Sequence, residues 1–241
     1  SEMCIRDRPA EAKKVYDAIL GLKPEEKDAY FLRGSAELEL GDYESAKADF
    51  DQAISMDPKN YDRLIEIYEA LAAHGYREVG QEYLQNVLDT AKQLDAYDSG
   101  RIYYYLGEYQ KAYLALDEAR DKGGADSYLY LGRAYAATGD YNYASSVYNN
   151  YLSKQGPNAE IYNELGLCEM AKKEYQNALA AFQAGKQIEG NSLMQTLCFN
   201  EIVAYEYLED YQQAEVLMNA YLQNYPDDQT AIREQQFLST R

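Results

Sequence analysis

Tyr97, Arg101 and Tyr104 fall at i, i+4 and i+7 of a helical run and share one face. Arg133 follows Arg101 by 32 residues. Two guanidiniums flanked by tyrosine rings can clasp a carboxylate or an acidic peptide side chain through paired N–H···O bonds. Tyr and Arg also dominate protein-binding hot spots, because they combine large contact area with directional polar groups. A second reading stays open. Asp62, Glu66 and Glu69 lie on the helical run before, and the arginines would then only neutralise neighbours of their own chain, a common and weak surface pairing.

Covalent and metal chemistry has little to work with. The chain of 241 residues holds one histidine, His74, and three cysteines, Cys4, Cys168 and Cys198, none in a CxxC pair. Catalytic triads and zinc sites need committed histidines or paired thiolates. No phosphate loop, HExxH or GxSxG occurs. No enzyme, cofactor or metal is therefore expected. His74 reads as a residue at a helix C terminus, interacting with the dipole, and Cys168 as a small buried hydrophobe.

Charge narrows the partners. Twenty-three Lys and Arg against 41 Asp and Glu leave a formal charge of −18. Phosphate backbones and acidic membrane faces would be repelled, so nucleic acid is excluded. A basic or neutral protein or peptide would be attracted. Apolar residues make up 46% of the chain, enough for a real core. No apolar run approaches the length of a membrane span, so direct membrane insertion by this segment is not expected.

The elements that must carry these side chains repeat. Ala12, Ala46, Gly80, Ala112, Ala144, Ala178 and Ala214 are spaced by 34, 34, 32, 32, 34 and 36. Gly41, Gly75, Gly107 and Gly139 lie five residues earlier, and Tyr43, Tyr109, Tyr141, Tyr175 and Tyr211 three earlier. Glycine tolerates the left-handed turn that ends a helix, and proline ends the following one at Pro24, Pro58 and Pro226, with Pro157 one place later. Each period thus reads as helix, turn, helix. Small residues at the crossings, Gly34 with Ala46, Gly100 with Ala112, Gly132 with Ala144 and Gly166 with Ala178, let the two helices approach. Tyr68 opposite Gly80 reads as size compensation, and Ile202 opposite Ala214 predicts more open packing.

On Tyr128, Leu131, Gly132, Tyr135, Gly139, Tyr141, Ala144 and Tyr148, the chain resembles the tetratricopeptide-repeat (TPR) family, over nearly all of Pro9 to Asp228. Tyr30, Tyr128 and Tyr162 stand where the family often has Trp, and Lys173 and Glu209 replace the turn glycine. The resemblance implies an all-α, right-handed superhelical solenoid. Six repeats are expected, 27–60, 61–92, 93–124, 125–158, 159–194 and 195–228. A truncated half-repeat over 9–26 precedes them and a capping helix over 229–241 follows. Residues 1–8 resemble translated sequencing-adapter read-through.

In this family the first helices line a concave groove that holds peptides. The positions expected there include Tyr97, Arg101, Tyr104, Leu129, Arg133, Asn163, Leu167, Met170 and Phe199. The lysine–asparagine clamp of chaperone-binding members is not reproduced, since Asn163 and Asn200 lack the matching lysines. The resemblance therefore implies a non-catalytic protein-interaction scaffold. Two alternatives remain: a docking region of a larger protein, and a structural solenoid that self-associates, with the oligomeric state left open. Similarity to bacterial members that carry a lipoprotein signal upstream favours an extracytoplasmic, anchored location over a cytoplasmic one.

Overall fold

The computed structural model describes residues 8–120 and 124–241. The expectations for Cys4 and the opening segment, apart from Arg8, lie outside those residues. Among the described residues the chain is helical throughout, with no strand. The helices are α1 (Pro9–Leu22), α2 (Lys27–Glu39), α3 (Tyr43–Met56), α4 (Tyr61–Ala73), α5 (Arg77–Thr90), α6 (Ala96–Tyr105), α7 (Tyr109–Ala119), α8 (Gly124–Ala137), α9 (Tyr141–Gln155), α10 (Ala159–Ala171), α11 (Tyr175–Lys186), α12 (Met194–Tyr207), α13 (Tyr211–Asn224) and α14 (Gln229–Leu238). They form two compact units, one ending at Gly107 and one running from Glu108 to Arg241. Each unit is a stack of helix-turn-helix pairs.

Local chemistry sets the helix ends. Asp42, Asp140 and Asp210 accept hydrogen bonds from the backbone N–H three residues on, at 3.1–3.2 Å, capping α3, α9 and α13. Before each cap the preceding helix closes through a left-handed residue. Gly139 has φ 84°, and Asp140 N–H returns to the Tyr135 carbonyl at 3.0 Å. Lys173 and Glu209 adopt the same turn at φ 64° and 61°, with matching bonds from Glu174 to Glu169 and from Asp210 to Tyr205. The turn thus survives loss of its glycine, at a cost of about 1–2 kcal/mol each.

The pairs are locked at their crossings. A Cβ added to Gly132 or Gly166 would lie 2.3 Å from the ring of Tyr148 or Phe182, and one on Gly34 2.8 Å from Phe50. The tightest contact is between glycine and the aromatic four residues after the expected alanine, and at Gly34 the Ala46 carbonyl is close as well, 3.1 Å from the added Cβ. Those three rings are fully buried, worth about 1.5–3 kcal/mol each. In α4 and α5 the arrangement is inverted, because a Cβ on Gly80 would lie 2.9 Å from the Tyr68 ring. Ile202, Ala214 and Met218 share one buried cluster, so flexible Met218 stands where three other pairs place a ring. A cavity of about 520 Å³ lies beside Ile202, lined also by Met194, Cys198, Leu217 and Tyr225.

At the front, α1 buries Ala12 and Leu20, while Tyr16 is half-buried against Ala36 and Leu32. Val15, on the same helix, is 56% exposed. On α14, Ala231 and Leu238 are buried, and Gln235 donates to Asn219 at 2.7 Å.

Adding a methyl at Gly166 should destabilise the chain by about 1–3 kcal/mol, read from the urea midpoint. Gly166→Ala combined with Phe182→Leu should recover part of that loss. A single substitution with unchanged stability would show that the crossing is looser than described.

Candidate functional site

In the first unit, α6 brings Tyr97 and Arg101 together as its spacing requires. The Arg101 guanidinium lies 4.3 Å from the Tyr97 ring centroid. It is already engaged, donating to Asp62 Oδ1 at 2.5 Å and to Asp98 Oδ1 at 2.6 Å. Arg101 is 7% exposed. Burial works against its charge, yet the bonds to Asp62 and Asp98 outweigh burial and hold its proton more tightly than usual. Asp62 is largely exposed and Asp98 mostly shielded, and the bond to Asp62 does most to hold the guanidinium charged, followed by that to Asp98. Tyr104 meets the Tyr105 ring edge-on at 5.4 Å. Tyr105 in turn donates to Glu69 at 2.6 Å.

Spacing did not reveal that Arg63 of α4 repeats this arrangement. Its guanidinium lies 4.0 Å from the Phe31 ring and bonds Asp28 of α2 at 2.9 Å and Glu66 at 2.8 Å. Successive first helices α2, α4 and α6 are thus tied by Asp28–Arg63 and Asp62–Arg101. The signal was an acid 35 or 39 residues before an arginine, legible only once the period is known.

The second unit does the same. Arg133 of α8 donates to Glu164 at 2.7 and 3.0 Å and to Glu160 at 2.9 Å, both on α10. Burial again opposes its charge, and the two carboxylates more than restore it. Asn163 is 8% exposed and accepts from Asn200 of α12 at 2.9 Å. Leu129 is buried at 3%, and its carbonyl accepts a 3.4 Å bond from Tyr148. Met170 is half-buried against the cluster of Phe182 and Ala204, and Phe199 packs on Tyr221 with centroids 5.8 Å apart. Of the nine expected positions, Leu167 presents the most apolar surface, at 43% exposed.

The remaining reactive groups are placed structurally. Burial pushes the Cys168 thiol up to about 12, helped by Glu164 and Glu169, so it stays protonated. His74 caps α4, with Nδ1 2.8 Å from the Ala70 carbonyl. No group of His, Cys, Asp and Glu among the described residues could hold a metal ion, and no helix there is long and apolar enough to cross a membrane. The pKa of Glu206, which no motif flagged, is raised by burial as those of Glu37 and Asp98 are. Burial, then the charge of Glu234, pushes it up to about 7.

Comparison with known proteins follows this geometry. Residues 27–60 match one tetratricopeptide-repeat family model, and residues 97–148 and 131–191 match another. Together they cover more than half of the chain. No curated protein matches significantly. Among solved structures, a tetratricopeptide repeat protein from Parabacteroides merdae superposes with a TM-score of 0.67 at 15% identity, over 97% of this chain and 93% of that one. The APC/C hetero-tetramer Cut9–Hcn1 contains a chain with TM-score 0.58 at 16% identity, covering 98% of this chain but 47% of that one, so this chain spans about half its length. YrrB, described as a TPR protein with an unusual peptide-binding site, gives 0.51 at 16% identity over 93% of this chain and 100% of that one. At such identities the likeness is one of fold.

Two measurements test the electrostatics. Arg101→Ala should cost about 1–3 kcal/mol in urea unfolding, because Asp98 loses its partner; an effect within about 0.5 kcal/mol would mark an ordinary surface residue. For Glu206, a raised folded-state pKa means that folding favours the protonated form. Its destabilisation is absent below the ordinary glutamate value of 4.5 and grows until pH passes about 7. Glu206→Gln should therefore raise stability at pH 8 by about 1–2 kcal/mol after solvent screening, with no gain at pH 4. Parallel pH–stability curves for the two proteins would contradict this.

Proposed function

Because the chain belongs to the tetratricopeptide-repeat family, whose repeats make protein–protein interaction scaffolds, we propose that it is a non-catalytic scaffold holding a peptide or a partner's surface against its first helices. The observation that carries this reading is in the second unit. Leu167 is 43% exposed on α10, a helix that also carries Asn163, bonded to Asn200 of α12, and the half-buried Met170. Apolar area beside a few fixed polar groups is what peptide recognition uses. Leu129 and Asn163 act from within the wall, and Arg133 holds its edge. In the first unit the proposed surface comprises Tyr97, Arg101 and Tyr104. The charge of −18 favours a basic or neutral partner. Peptide binding by the structurally similar YrrB supports the same reading.

The scaffold so proposed comprises six repeats over 27–228, a half-repeat before them and a cap after. A second reading, association through the front helix, is favoured by Val15 and Leu22 of α1, which are 56% and 85% exposed.

Peptides selected on the intact chain from a random library should bind Leu167→Asp about tenfold more weakly. They should bind Val216→Asp, altered on α13, as they bind the parent. Equal binding to all three proteins would place the partner surface elsewhere.

A further inference from the structure

Among the described residues the fully buried carboxylates each carry a cation of the chain: Glu37 pairs with Lys13, Asp49 with Arg33, Glu169 with Lys172 and Glu201 with Lys186. Glu206, half-buried near the end of α12, forms no such pair. Its Oε1 is closed off from solvent and accepts no hydrogen bond. The charge acting on it is a like one, that of Glu234 on α14. Burying an anion without a donor is unfavourable, and a second carboxylate nearby makes it more so. A cationic group supplied from outside would relieve both.

Apolar surface adjoins this pair in a regular row. Leu167, Val203 and Phe237 occupy corresponding places on α10, α12 and α14, at spacings of 36 and 34 residues. Leu167 and Phe237 are 43% and 40% exposed, with Val203 half-buried between them. The Asn163–Asn200 bond fixes the register of α10 against α12. On α8 the corresponding residue is Arg133, committed to Glu160 and Glu164, and the apolar row stops there. Glu206 lies one turn past Val203, and Glu234 one turn before Phe237. The Phe237 ring already receives a guanidinium, that of Arg241 at 4.5 Å from its centroid.

We propose that this face of the second unit binds an amphipathic segment of a partner protein, whose aliphatic side chains cover Leu167, Val203 and Phe237 and whose lysine or arginine enters between Glu206 and Glu234. The proposal rests on the reading of the first helices as a partner surface and adds the partner's chemistry. The surplus of carboxylates favours a basic occupant, and the aliphatic row excludes a purely electrostatic one.

The test uses the full chain and two fluorescein-labelled peptides, one of three Leu-Lys-Ala-Leu blocks and one with glutamate in place of lysine. Fluorescence anisotropy at physiological salt should show binding of the lysine peptide only. Glu206→Gln/Glu234→Gln should weaken it at least about tenfold. Glu44→Gln/Glu215→Gln, which removes the same charge from other surfaces, should change it by less than about twofold. Leu167→Asp should also weaken it about tenfold. Circular dichroism of each variant checks that helix content is retained. No binding of the lysine peptide, or equal binding of the glutamate peptide, overturns the inference. If Leu167→Asp loses the peptide while Glu206→Gln/Glu234→Gln keeps it, the acidic receptor is wrong and the partner surface stands. If both variants bind as the parent does, the inference and the underlying surface assignment fall together. Loss in the Glu206→Gln/Glu234→Gln variant alone also overturns it, because the aliphatic row then takes no part.

Discussion

Two helices can cross closely only where one backbone yields its side chain, and that constraint organises each unit. Gly34, Gly132 and Gly166 leave space that Phe50, Tyr148 and Phe182 fill completely. An aromatic ring seated on a bare backbone fixes the approach of the pair and its rotation. The small alanines Ala46, Ala144 and Ala178, one turn before each ring, are fully buried where the same helices converge. With the pair fixed, the outward faces of the first helices are no longer free to choose their neighbours. Asp28 must meet Arg63, and Glu164 must meet Arg133. The polar links between successive first helices follow from the apolar lock beneath them.

The period of the chain was legible because turn glycines, crossing residues and tyrosines repeat in phase, and each answers to backbone geometry alone. Lys173 and Glu209 show how far that logic reaches. They lack glycine's freedom and still take its conformation, and the same backbone bonds, Glu174 N–H to Glu169 and Asp210 N–H to Tyr205, close both turns. The candidate site was less legible. Helical spacing correctly placed Tyr97 beside Arg101, but the partners of a long charged side chain depend on lateral distances between helices. Arg101 takes one acid, Asp98, from its own helix and another, Asp62, from the preceding one. Glu160 and Glu164 lie on the following one. Leu129 fell on the expected stripe yet sits in the core, because a stripe of whole positions is coarser than the boundary between wall and surface.

Functionally, the ion pairs divide the first helices into stretches that are already satisfied and stretches that are not. Where arginine is bonded to acids of the same chain, the surface is rigid and nearly self-sufficient. Where Leu167 replaces arginine at the corresponding place, apolar area opens, and the carboxylates beyond it have no cation. Selectivity in a repeat protein can therefore arise by omission: one arginine fewer in a periodic series exposes both a hydrophobic contact and an unmet charge.

The inverted lock in α4 and α5 has a consequence for how such a chain can change over generations. There the ring, Tyr68, comes from the first helix and the vacancy, Gly80, from the second. Exchanging α4 for α10 would set Gly166 against Gly80 and leave a hole; exchanging α10 for α4 would drive Tyr68 into Phe182. Individual helices are not interchangeable parts here. Recombination that cuts within a pair meets a packing defect, whereas a cut between pairs transfers a lock together with its key. The heritable module is the pair, and the loops between pairs are the places where such a chain can lengthen, shorten or be reassorted.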